Sequence, residues 1–246
     1  MTPSPRDLIS SLPLKQHSIK IPTILSALKS ALPAVNILHT SGCDNLGDDR
    51  SGFEAALKIT RQAEAVILVL GDRSGLTPHC SVGETRDSAD LKLPGVQEEL
   101  AEAVLACGKP VIVVLVTGRP YAIQSLVEKA DAILEAWLPG EEGGQAVAET
   151  LLGINNPGGK LAITFPRHVG QIPIFYNQKP SGGKSNWYTH YVTVDASPLY
   201  PFGFGLSYTT FEYSQFSISK RTARVGETLT ISVKVTNTGN RAGAGI

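Results

Sequence analysis

Glu84 stands between Gly83 and the polar run Thr85-Arg86-Asp87. A carboxylate held on a loop and partly shielded from water can act as a general acid if its surroundings favour the protonated form. The plainer reading of the same residue is a solvated loop glutamate. Arg86 and Asp87 read as a pair that stabilises the loop. Glu141 and Glu142 precede a helical pattern, where acids suit the positive end of the helix dipole. Trp137 closes an apolar run, and an indole there either stacks on a sugar ring or fills the core.

Other chemistries lack their residues. Gly71-Asp72-Arg73-Ser74-Gly75 is not GxGxxG and opens no helix, which argues against a dinucleotide site. A GxxxxGK[ST] phosphate loop is absent, and Gly205-Leu206-Ser207 lacks the second glycine of a nucleophile elbow. His39, His79, His168 and His190 have no metal-ligand spacing with cysteine or acid, so no metal and no cofactor are expected.

The elements that must position these loops alternate from about residue 34 to 166. Val35–His39, Ala65–Leu70, Val111–Val116, Ala132–Trp137 and Lys160–Phe165 read as strands. Phe53–Ala63, Pro94–Cys107, Ile123–Lys129 and Gly144–Leu152 read as helices, with Pro94 at the first helical position and Gly108 as the C-terminal cap. Val111–Val116 is apolar on both faces, the mark of a buried parallel strand. The expected class is α/β, a mostly parallel sheet with helices on both faces. In such a sheet ligands meet the loops at the C-terminal strand ends. Those loops carry Gly42-Cys43-Asp44 with Asp48-Asp49-Arg50, the stretch from Gly71 to Leu93, Gly118-Arg119-Pro120, and Pro139 to Gly144. A loop of about twenty residues, as between Gly71 and Leu93, is usually functional.

The division expected along the chain is a linker over 1–33, an α/β sandwich over 34–166, an irregular connection over 167–212, and a truncated all-β segment over 213–246. The first stretch carries five prolines and one weakly amphipathic run, Ile24, Leu25, Leu28 and Leu32. The last turns to period two, with Phe216 and Ile218, then Leu229, Ile231, Val233 and Val235. Two or three strands fit there, too few for a stable sandwich, so the sequence reads as cut inside a domain.

Composition bounds the rest. Lys plus Arg is 22 and Asp plus Glu is 22 in 246 residues, for a net charge of zero; a nucleic-acid binder would show a basic excess. The longest apolar run, Val111–Val116, is far short of the roughly 20 residues of a membrane span. The first residues lack the charged and apolar regions of a signal peptide, which leaves the compartment open. Cys43 and Cys80 each follow a strand, so a bridge between them is open; Cys107 reads as a buried thiol.

Six blocks, each weak alone, stand in order: Gly71-Asp-Arg-Ser-Gly-Leu-Thr-Pro78, Gly83-Glu-Thr-Arg-Asp87, Leu93-Pro-Gly-Val-Gln-Glu-Glu-Leu100, Ala136-Trp-Leu-Pro-Gly-Glu-Glu-Gly-Gly144, Asn156-Pro-Gly-Gly-Lys-Leu161, and Pro198 to Phe211 with its Tyr-Pro-Phe-Gly-Phe-Gly-Leu-Ser-Tyr core. Together they resemble, over about residues 17–246, the C-terminal part of family 3 glycoside hydrolases of the β-glucosidase and β-xylosidase type. The resemblance implies that family's α/β sandwich domain followed by the start of its fibronectin-III-like domain, to which Val235–Asn240 is similar. It implies a partner (β/α)8-type barrel that supplies the aspartate nucleophile, while the sandwich domain supplies the acid/base glutamate, by motif position Glu84. Arg73, Arg86 and Trp137 are then the candidates for touching a β-linked glycoside. The implied chemistry is retaining hydrolysis, with two carboxyl groups ~5–5.5 Å apart. A non-catalytic sugar-binding module, with Trp187–Tyr191 as part of its surface, is the alternative. A flavodoxin-like nucleotide binder is disfavoured for want of a phosphate loop.

Overall fold

The computed structural model describes residues 21–178 and 191–244. Three parallel strands form in the order β1 (Val66–Gly71), β2 (Val111–Val116) and β3 (Ala132–Glu135), with Leu70 beside Leu115 and Leu115 beside Glu135. Helix α1 (Ile24–Ala31) and helix α2 (Phe53–Gln62) precede the sheet. Helix α3 (Gln97–Leu105) carries the crossover from β1 to β2, α4 (Gln124–Lys129) carries that from β2 to β3, and α5 (Gly143–Leu151) follows β3. This is the α/β class expected from the alternation.

Alternation along each strand sends Leu70, Val111, Val113 and Leu115 to one face. There they meet Ala56 of α2, Leu100, Ala101 and Val104 of α3, and Leu126 of α4 in one core. A second cluster joins α1 to α5 through Ala27, Leu28 and Ala148. The stretch expected as linker thus contains a helix, capped at Thr23, whose side chain accepts from Ser26 N–H at 3.0 Å.

Two expected strands do not form. Val35–His39 has no ladder partner, and Val35 and Leu38 are exposed. β1 pairs only with β2 among the described strands, and Ile67 and Val69, on the face away from Leu70, are exposed; an alternating pattern becomes a strand only beside a partner. Lys160–Phe165 keeps a single bridge, Phe165 to Tyr200, because the returning chain bonds it at isolated points such as Gly203 N–H to Leu161 O at 2.7 Å. Pro94 is not the first residue of α3. It sits in a turn with Gly95, and its carbonyl accepts from the Gln97 side chain at 2.9 Å. β3 stops at Glu135, two residues short of Trp137.

Among the described residues between 167 and 210 one 3-10 turn forms, at Val169–Gln171. Buried Gln171 ties it down, accepting from Arg167 N–H and donating to the carbonyls of Asp195 and Ser197. The period-two runs pair as an antiparallel hairpin, β4 (Phe211–Ile218) with β5 (Ile231–Asn237). All three cysteines are free thiols, and Cys107 is half-buried. The open pairing of Cys43 with Cys80 is therefore not made. Among the described residues no helix is long and apolar enough to cross a membrane.

Candidate active site

Two strand ends, those of β1 and β2, converge on the carboxylate of Asp72. It follows β1 directly, and its own N–H donates to Val116 O at 2.8 Å. Its Oδ1 accepts from Ser81 Oγ at 2.6 Å and from the Tyr121 hydroxyl at 2.7 Å, and its Oδ2 accepts from Gly118 N–H at 2.9 Å. Those donors come from the far end of the loop after β1 and from the loop after β2. Tyr121 is only 2% exposed. Burial first, then the Asp72 carboxylate, pushes its phenol well above the usual range, so it stays a donor. Beneath this point lies Gln97, 3% exposed. Its amide accepts from Gly71 N–H and donates to the carbonyls of Gly71 and Pro94, joining the root of the loop to the start of α3.

The loop that rises from Asp72 returns on itself. Ser74 bridges to Val82 and Gly83 to Arg86. Arg86 N–H donates to Gly83 O at 3.1 Å, closing a four-residue turn with Glu84 and Thr85 at its centre. Thr85, third in the turn, takes a left-handed φ of 61°, the sign that a type II turn has at that position. Gly83 is required because a Cβ there would overlap the backbone of Gly75. Arg86 turns inward, its guanidinium donating to Cys80 O at 2.9 Å and Pro78 O at 3.1 Å. Glu84 is left at the apex, exposed, with no hydrogen bond or ion pair among the described residues. A loop this tightly bonded with one free carboxylate at its tip can present an acid to something outside the chain.

Of the other sequence candidates, Arg73 is half-exposed and pairs with Asp44 at 2.9 Å. Arg86 donates to the carbonyls just named and not to Asp87, which lies against Arg119 at 3.7 Å, so the expected Arg86–Asp87 pair is not made. Trp137 has a left-handed φ of 52° and packs its edge against Phe165, ring centroids 5.7 Å apart. Both belong to the main core region, so the indole serves packing at least in part. Tyr191 is described, but Trp187–His190 lie outside the described residues. Among the described residues no cluster of histidine, cysteine and acid has the makings of a metal site.

Sequence reasoning missed Glu135. It ends β3, facing the core, and its Oε1 accepts from Thr117 Oγ1 at 3.0 Å and Trp137 N–H at 2.9 Å. Its Oε2 is buried without a partner among the described residues. Desolvation dominates, with a smaller contribution from Asp72, and raises its pKa to about 7 despite the two donors. The signal was a lone acid in the apolar run Ala132-Ile-Leu-Glu-Ala-Trp137. A perturbed pKa alone would nominate Glu135 as the acid of the site. Its position under the loops, with one oxygen doubly bonded to its own fold, instead makes it a structural acid.

Comparison with known proteins bears on this arrangement. Residues 10–208 match the family described as the glycosyl hydrolase family 3 C-terminal domain. A β-xylosidase of Formosa agariphila is 43% identical over 225 residues, covering 90% of this chain and 30% of that protein. A periplasmic β-glucosidase of Salmonella typhimurium is 37% identical, covering 98% of this chain and 34% of that protein. In three dimensions, a β-glucosidase from Listeria innocua in complex with glucose superposes with a TM-score of 0.78 at 32% identity, covering 90% of this chain and 31% of that one. The chain therefore spans about a third of the length of these relatives.

Proposed function

The chain belongs to the glycosyl hydrolase family 3 C-terminal domain family, and from that premise we propose that it supplies the acid/base carboxylate of a retaining β-glycosidase, with Glu84 as that group. The nucleophile comes from a separate N-terminal domain, and the substrate is a β-glucoside or β-xyloside. The observation that carries this reading is the turn at 83–86, which sets an unpaired carboxylate at the apex of a loop tied down at several points. The naming of relatives as β-xylosidase and β-glucosidase supports the substrate class.

In such a reaction the nucleophilic carboxylate attacks the anomeric carbon while Glu84 gives its proton to the departing oxygen. Glu84, now ionised, then takes a proton from the water that attacks the glycosyl-enzyme, which releases the sugar and restores both groups. The two carboxyl groups must stand ~5–5.5 Å apart. A loop anchored at several points meets that demand better than a free one. Arg73, beside the root of the loop, is assigned to substrate contact. Arg86 and Trp137 act through packing and loop shape.

The test is the leaving-group dependence of Glu84→Ala in the complete enzyme. A dinitrophenyl group departs without a proton, so kcat/KM for dinitrophenyl glycosides should be nearly unchanged. Alkyl glycosides should lose roughly 10²–10⁴-fold, the range of general acid catalysis. Equal losses for both would overturn the assignment.

A further inference from the structure

The six residues that carry Glu84 are gripped at both ends by a single side chain from another loop. Arg119 follows β2, and its Nη2 donates to Ser81 O at 3.3 Å and to Arg86 O at 3.1 Å. Its Nη1 lies 3.7 Å from an Asp87 carboxylate oxygen, close enough for an ion pair but too long for a hydrogen bond. The Arg119 side chain is 14% exposed, whereas Asp87 is almost fully exposed. The guanidinium therefore lies beneath the turn with its charge facing the Glu84 loop.

The backbone of Arg119 is fixed in turn by Asp72. Gly118 N–H donates to Asp72 Oδ2, and Tyr121, two residues beyond Arg119, donates to Oδ1. Asp72 Oδ1 also accepts from the Ser81 side chain, whose main-chain carbonyl Arg119 holds. Asp72, Arg119 and Ser81 thus form a closed circuit. The fit is tight, since a Cβ on Gly118 would overlap the side chain of Val82. Arginine suits the post because its planar fork reaches two carbonyls at once, which a lysine ammonium on a flexible stem does not reproduce.

We propose that Arg119 is a positioning residue for the acid/base turn, spanning Ser81 and Arg86 to fix the placement of Glu84, with Asp72 as its anchor. This rests on the reading of Glu84 as the acid/base. Arg119 touches neither substrate nor reacting atoms. Its removal lets the turn drift, and a drift of about 1 Å at a reacting group costs on the order of 10²-fold.

The experiment compares Arg119→Ala, Arg119→Lys, Glu84→Ala and the Arg119→Ala/Glu84→Ala double variant in the complete enzyme. It reads kcat/KM for an alkyl and a dinitrophenyl β-glycoside, and amide hydrogen exchange over residues 81–86. Arg119→Ala should lose roughly 10–10²-fold on the alkyl glycoside and less than about threefold on the dinitrophenyl one, the latter also certifying a folded enzyme. Amides 81–86 should exchange faster while those of β2 keep their protection. Arg119→Lys should fall between wild type and Arg119→Ala. In the Glu84→Ala background, Arg119→Ala should cost less than about twofold more, because two groups serving one proton transfer are non-additive. If Glu84→Ala discriminates between leaving groups and Arg119→Ala does not, or slows both alike, the positioning role is overturned and Glu84 stands. If Glu84→Ala itself fails to discriminate, the assignment of Glu84 falls and the positioning role with it.

Discussion

The backbone N–H of Trp137 donates to Oε1 of Glu135 at 2.9 Å, so the residue that ends β3 also holds the left-handed turn that follows it. The carboxyl group that makes this bond has its pKa raised to about 7, chiefly by burial, so it is about half protonated near neutrality. Between about 4.5 and about 7 the folded protein binds more protons at this site than the unfolded chain does. Stability from this residue is therefore greatest at the acid end of that window and falls as pH rises through it. Glu135→Gln keeps an acceptor oxygen for Thr117 and Trp137. It should flatten that slope and raise stability near pH 8 by an amount on the order of 2–3 kcal/mol. Urea unfolding at several pH values measures this, and parallel curves for the two proteins would contradict it.

Gln97 should matter to stability more than its uncharged side chain suggests. Its amide serves Gly71 on both backbone groups and Pro94 besides, in a 3% exposed position. Gln97→Ala takes the partner from Gly71 N–H and Pro94 O, while Gly71 O keeps its bond from the Asn45 side chain at 2.8 Å, at a cost of roughly 2–4 kcal/mol. Gln97→Glu should also destabilise, since a carboxylate cannot donate to the two carbonyls. Denaturant midpoints decide this, and a change below about 0.5 kcal/mol in Gln97→Ala would contradict it.

All three cysteines should titrate as thiols without reductant. Burial and Asp44 push the Cys43 thiol up, which slows its reaction, and Cys80 is only 5% exposed. Thiol titration in denaturant should find the same number with and without prior reduction. Two thiols appearing only after reduction would show a bridge.

The β4–β5 hairpin leaves a row of apolar side chains exposed, with Phe216 71% and Ile231 63% exposed. A two-stranded ribbon with two open edges invites pairing with another copy. Sedimentation of the 1–246 chain should show concentration-dependent association, reduced by Phe216→Lys with Val233→Lys. A monomer at all concentrations would contradict this.

Legibility followed the physics of each signal. β2 was legible to its last residue because a run apolar on both faces has one stable use, a buried central strand. Val35–His39 and Lys160–Phe165 carry shorter or more broken apolar patterns and find no ladder, only the single bridge of Phe165 to Tyr200, and pairing is not written in local sequence. Glu84 was visible as a carboxylate flanked by glycine, whereas the circuit that holds it was not. Asp72, Ser81, Arg119 and Tyr121 are separated by up to 49 residues and meet only because parallel strands bring their C-terminal ends to one edge. Glu135 was legible in principle, as a lone acid in an apolar strand. The carbonyl partners of Arg86 were not legible, because they are main-chain groups six and eight residues away that meet it only when the loop folds back.

The most direct test of the account is azide rescue of Glu84→Ala in the complete enzyme. Removing the base stalls hydrolysis of the glycosyl-enzyme, so an activated dinitrophenyl glycoside should show a burst followed by slow turnover. Azide needs no deprotonation and should restore turnover, and the product should be the β-glycosyl azide, because a retaining enzyme inverts twice. Asp87→Ala and Glu142→Ala should not respond. Recovery of turnover with β-glycosyl azide from Glu84→Ala alone is the result the account predicts. No response to azide, or rescue of Asp87→Ala in its place, would contradict it.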